Sequence, residues 1–145
     1  MTVRVYVGLT AAELERMAEA GSIGTDGVRA RAVTAAVRDA FPDDDEESLE
    51  YCALWVAAED LARSHDGGSV VVAAADVPDG WVVPAAIDVA HDAYEVLIER
   101  SVPRSRVVAL HVQEDEAGPD DELSWYDVSE LDVVRHLLDR PRRGR

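Results

Sequence analysis

Apolar and polar residues alternate at the start of the chain, where Val3, Val5, Val7 and Leu9 are separated by Arg4, Tyr6 and Gly8. A period of two sends one set to a buried sheet face, so the segment is predicted as a strand. Thr10 and Glu13 follow in the T-x-x-E spacing of a capping box, and Leu9 and Leu14 flank the cap as a hydrophobic staple. Leu14, Met17 and Ala18 form the stripe of a first helix, and Gly21 supplies its left-handed stop. A second strand is predicted over 28–33, with Val28, Ala30 and Ala32 on one face and Arg29 and Arg31 on the other. Thr34 caps a short helix through Val37 to Phe41, which Pro42 ends.

The most hydrophobic helix is predicted over 45–64, with Asp44 as its cap and Glu47 completing the box. Tyr51 to Ala58 carries no charge, so most of the circumference is expected to be covered, with the helix lying centrally across a sheet. Gly67-Gly68 is its expected stop. Ser69 to Ala75 is a continuous apolar run of the kind an interior strand shows, and 76–80 is a turn cluster. Trp81 to Val83 reads as a short extended piece ended by Pro84. Residues 85–93 fit either an alternating strand or a helix entered at Pro84. Strands are predicted over 94–98 and 107–112, an exposed acidic loop over 114–122, and a last helix capped by Ser129 with Leu131, Val134, Leu137 and Leu138 inward. The strand-rich second half lacks crossover helices. The expected class is therefore α+β: one domain over 1–139, a mixed sheet of about five to six strands against the central helix and the C-terminal helix. Residues 140–145 are expected to be a frayed basic tail.

Composition narrows the partners. The 145 residues carry 30 carboxylates against 14 basic groups, a net charge of −16, which argues against nucleic acid and anionic membrane surfaces. A 48% hydrophobic content separates the chain from disordered acidic tails. Every basic residue is arginine, and asparagine is also absent, a bias expected of a high-GC coding genome. Met1 leads straight into a strand pattern, and no segment nears the roughly 20 apolar residues of a membrane span, so a cytoplasmic protein is expected. Cys52 is the only cysteine; set in an apolar run, it is expected as a buried thiol.

Motifs that would specify chemistry are missing: no G-x-S-x-G, H-E-x-x-H, paired C-x-x-C, P-loop or G-x-G-x-x-G occurs. Asp43 to Glu47 lacks the alternating ligands and mid-loop glycine of an EF-hand and reads as a helix start. His65-Asp66 and His91-Asp92 do not fall on adjoining helices of an all-α bundle. No metal site and no cofactor is predicted. The expected mode of action is protein–protein contact, with a second copy or another protein as partner, and the balance leans away from an enzyme.

Two resemblances add to this. Val5-Tyr6-Val7-Gly8-Leu9-Thr10 with the helix behind it, and Tyr94 to Ile98 with Val102-Pro103, resemble segments of the ADP-ribosyltransferase-like fold. That resemblance implies an NAD-binding enzyme as the alternative. Tyr6 and Gly8 would belong to the strand end that receives nicotinamide, Arg4 would meet a phosphate or carboxylate, and Glu95 would stabilise an oxocarbenium-like ribose. The first strand has no histidine, and Ala93 stands where the first glutamate of an E-x-E pair would be. Over most of its length the chain also resembles an uncharacterised family of small acidic proteins from high-GC Gram-positive bacteria. Val3 to Val7, Arg31 to Arg38, Asp45 to Leu54, Val70 to Pro78 and Leu123 to Asp127 carry that likeness, which implies no assigned activity.

Overall fold

A computed structural model describes residues 1–24, 27–64, 70–84, 94–113 and 123–139. The elements are β1 (Thr2–Leu9), α1 (Ala11–Ala20), β2 (Ser22–Ile23), β3 (Val28–Ala32), α2 (Ala35–Ala40), α3 (Glu46–Ser64), β4 (Val70–Pro78), β5 (Val82–Pro84), β6 (Glu95–Ile98), β7 (Val102–Pro103), β8 (Val107–Gln113), β9 (Ser124–Asp127) and α4 (Leu131–Asp139). The α+β class expected from the pattern holds. Seven strands form one sheet in the order β5-β6-β3-β1-β4-β8-β9, and β2 pairs with β7 in a separate ribbon. Every described pairing is antiparallel, in a sheet wider than the mixed one of five to six strands expected above. The reason lies after α1. A strand entered directly from that helix would run parallel to β1. β3 instead pairs antiparallel with β1.

β3 and β4 flank β1 and are each antiparallel to it, so they run parallel to one another. Joining them requires a crossover, and α2 with α3 supplies it, which lays α3 across β1. Gly8 is the residue that permits this closeness: a Cβ there would lie 3.3 Å from Leu61 Cβ and 3.5 Å from the Ala57 carbonyl oxygen.

The sheet has a core on each face. Val5, Val7, Leu9, Val71, Ala73 and Leu110 pack with Leu14 and Met17 of α1 and Leu131 and Val134 of α4. Tyr6, Val72, Ala74 and Ala109 pack with Val37 of α2 and with Leu49, Ala53, Leu54, Ala57 and Leu61 of α3. The central and C-terminal helices thus lie on opposite faces, in three layers. β4 is covered on both sides, and Val70 to Ala75 are all buried, as the unbroken apolar run required.

Local signals at the first helix are met. Thr10 Oγ1 accepts from the Glu13 N–H at 3.2 Å, Glu13 Oε1 accepts from the Thr10 N–H at 2.9 Å, and Gly21 has φ 78°. Two caps move. Asp45, not Asp44, accepts from the Ser48 N–H at 2.8 Å and starts α3. Asp127, not Ser129, opens the last helical segment: it closes a box with Glu130 over one 3₁₀ turn, and Ser129 donates to it. β4 continues through 76–78, where a turn was expected, because Asp76, Val77 and Pro78 pair with Arg4, Val3 and Thr2. The turn moves to Asp79–Trp81.

Cys52 is exposed, contrary to the buried thiol expected. α3 has one sheet to cover, so Leu49, Ala53, Ala57 and Leu61 turn inward while Tyr51 and Cys52 turn out. No described helix is long and apolar enough to cross a membrane. The expectations for Gly67-Gly68, for His65 and His91, for 85–93, for the 114–122 loop and for the 140–145 tail fall outside the described residues.

Candidate binding cleft

α3 packs chiefly over β3, β1 and β4, and among the described residues no other helix comes to the β8–β9 end of that sheet face. A cleft of about 420 Å³ lies in the angle, lined by Arg4 and Tyr6 of β1, Glu47, Glu50, Tyr51 and Leu54 of α3, and Val108, Ala109, His111 and Trp125 from β8 and β9. Strand alternation places these groups together. Arg4 and Tyr6 share the α3 face of β1. Tyr6 stands opposite Ala74, Ala74 opposite Ala109, and His111 opposite both Val72 and Trp125. The small alanines keep the floor low. The register between β4 and β8 shifts after Ala74, leaving Val108 as the extra residue of a bulge, so that consecutive Val108 and Ala109 both serve the cleft wall.

Arg4 is already engaged. Its Nε donates to Asp76 Oδ1 at 2.5 Å and its Nη2 to Asp76 Oδ2 at 3.1 Å, a bidentate pair across β1 and β4. The hydrogen bond to Asp76 is the chief reason the Arg4 guanidinium holds its proton above its ordinary range. Burial pushes the Tyr6 phenol up, Glu50 adds to the rise, and Arg4 opposes it. Desolvation first, and then the Arg4 charge, lower the His111 imidazole, so that it is neutral at pH 7. Among the described lining residues Glu47 and Glu50 accompany one guanidinium, which Asp76 already holds, and the described site is net negative. Its rim is aromatic: Tyr51 is 48% exposed and Trp125 61%, with Tyr51 set edge-on to Trp55 at 6.2 Å between centroids.

Of the residues singled out in sequence, Arg4 and Tyr6 meet in this cleft and Glu95 does not join them. Glu95 sits on β6 opposite Arg31, two strands from β1, and accepts from Arg29 Nη2 at 2.5 Å. Arg31 in turn is bonded to Asp60 of α3. Glu50, Tyr51, Asp76, His111 and Trp125 were not legible as site residues. Nothing local in the chain ties Trp125 to Tyr51, and only the strand register brings Asp76 to Arg4.

A larger groove of about 690 Å³ runs between α1 and α4, lined by Glu15, Asp132, Arg135 and His136. Its charges are spent on one another: Arg135 donates to Glu15 at 2.7 and 2.9 Å and to Asp132 at 3.0 Å. Among the described residues no phenylalanine, tyrosine or tryptophan lines it.

The fold and cleft define an α+β domain with helices on both faces of an antiparallel sheet and one acidic, aromatic-rimmed recess. Residues 3–134 match the Family of unknown function (DUF6912), and the chain belongs to that family. No curated protein and no solved structure matches it.

Proposed function

We propose that this protein works by binding, and that the cleft beside α3 receives a positively charged, arginine-bearing segment of a protein partner. The observation that carries the reading is the conjunction of two exposed rings, Tyr51 and Trp125, with Glu47 and Glu50 around a recess whose guanidinium is already held by Asp76. An incoming guanidinium finds carboxylates for its N–H fork and ring faces for its plane. The described arginines show the same preference, with Arg100 4.0 Å and Arg106 5.5 Å from the Trp81 ring centroid. A dinucleotide is the poorer fit, because its phosphates would meet Glu47 and Glu50, and Glu95 stands outside the recess. A reducing cytoplasm of a high-GC Gram-positive bacterium is the setting this reading adopts, supported by a single cysteine and an all-arginine basic set.

Calorimetric titration of the full chain with an arginine-bearing peptide and, separately, with NAD tests the reading. Heat is expected from the peptide and none from NAD. Trp125→Ala and Glu50→Gln should each weaken the peptide about tenfold, whereas Val133→Ala on the far face should not. Binding of NAD without the peptide would overturn the proposal in favour of the transferase-like alternative.

A further inference from the structure

Arg4 is held by Asp76, and most other described arginines also have partners. Arg29 is bonded to Glu95, Arg31 to Asp60, Arg38 to Glu46 and Arg135 to Glu15, while Arg100 and Arg106 lie over Trp81. The densest arginine in the sequence is the run Arg140-Pro141-Arg142-Arg143-Gly144-Arg145, which holds four of the chain's 14. We propose that the segment the cleft receives is this run, supplied by a second copy of the chain. The inference rests on the reading of the cleft given above and names its partner.

Charge complementarity is the first support: four guanidinium groups meet a recess that is net negative and rimmed by two rings. The reach of the chain is the second. α4 ends at Asp139 on the α1 side of the sheet, and the cleft opens on the α3 side. Packed layers stand about 10 Å apart, so the two helix layers are roughly 20 Å apart through the sheet. Six extended residues span at most roughly 21 Å. The run 140–145 covers that thickness only when fully extended. A neighbouring copy has no such limit. Reciprocal exchange fills both clefts and closes the assembly at a two-fold dimer. At a net charge of −16 two copies otherwise repel, so association reports on the arginine run itself.

Sedimentation equilibrium of the full chain is the test, with two variants of the run and one of the cleft. The native chain is expected as a dimer. Replacing Arg140, Arg142, Arg143 and Arg145 together by serine should leave a monomer. Replacing the same four by lysine keeps charge but loses the flat, stacking fork, and should weaken the dimer about tenfold. Trp125→Ala should weaken it comparably. A synthetic peptide of residues 140–145 should bind the serine variant. A native monomer, or a dimer that survives the serine substitutions, overturns the inference. If an unrelated arginine peptide binds the cleft while the 140–145 peptide does not, the inference fails and the function proposed above stands. If neither peptide binds, both fall.

Discussion

Gly8 of β1 lies directly beneath Leu61 of α3, so close that a methyl group on Gly8 would come within 3.3 Å of Leu61 Cβ. The contact is with the stem of a helix side chain, which no rotamer change can move. Gly8→Ala must therefore shift α3 outward, and the expected cost is about 1–2 kcal/mol in chemical denaturation. Combining it with Leu61→Ala should not help, because the clash is with Cβ, which alanine keeps. Leu61→Gly should recover part of the Gly8→Ala loss in a double-mutant cycle, and strict additivity would show that the two residues do not meet.

Helix starts offer a direct comparison between what was legible in the chain and what the fold selected. Thr10, Glu13 and Gly21 were readable because a cap is a bargain among neighbours in sequence, and all three act as expected. The start of α3 was displaced by one residue because Asp43, Asp44 and Asp45 present three equivalent carboxylates; packing of Leu49 against the sheet decides which one caps. Strand directions are set by which strands pair, which no periodicity within a strand encodes. The cleft was half visible: alternation alone put Arg4 and Tyr6 on one face, but Asp76 and Trp125 join them only through β1–β4 and β8–β9 registers. Asp45→Ala should lower the melting midpoint and Asp44→Ala should leave it in place. The reverse order would restore Asp44 as the cap.

His111 gives the protein an acid-side dependence whose sign is fixed by its surroundings. Its imidazole is lowered from 6.5, chiefly by desolvation and then by Arg4. As pH falls below the unfolded value, the unfolded chain takes up a proton that the folded chain refuses, and stability declines until pH reaches the lowered folded value. The contribution is complete above the unfolded value. Unfolding midpoints in denaturant should therefore drop as pH falls through 6.5, and His111→Gln should flatten that part of the profile relative to the native chain. Acid stability that is the same in both proteins would mean that His111 is free to protonate in the fold.

The Arg4–Asp76 pair is about one-third exposed at each end, with side-chain exposures of 35% and 37%, so its contribution to stability is small once solvent screening is allowed for. Asp76→Asn should cost about 0.5–1 kcal/mol, and its effect on binding should be larger and of known direction. Without Asp76 the Arg4 guanidinium faces the cleft uncompensated, which raises the local charge by one unit. An arginine-bearing peptide should then bind less tightly, whereas an anionic ligand such as inorganic phosphate should gain. Peptide affinity that rises in Asp76→Asn would show that Arg4 does not sense the bound charge.

Cys52 decides how α3 is rotated. The apolar run from Leu49 to Trp55 suggested a thiol inside the core, but the helix directs Leu49 and Ala53 to the sheet and leaves Cys52 exposed beside Tyr51. Rotations of roughly 60° and 100° about the helix axis separate Cys52 from Leu49 and Ala53, so one thiol reports the orientation of the whole helix. Under native conditions a maleimide should modify Cys52 at a rate close to that of the unfolded chain, with stoichiometry of one and no loss of helical circular dichroism. Burial would instead slow labelling in step with global unfolding, which for a stable domain is by many powers of ten. Slow labelling of that kind would turn α3 around, remove Tyr51 and Glu50 from the cleft wall, and take the proposed binding site with them.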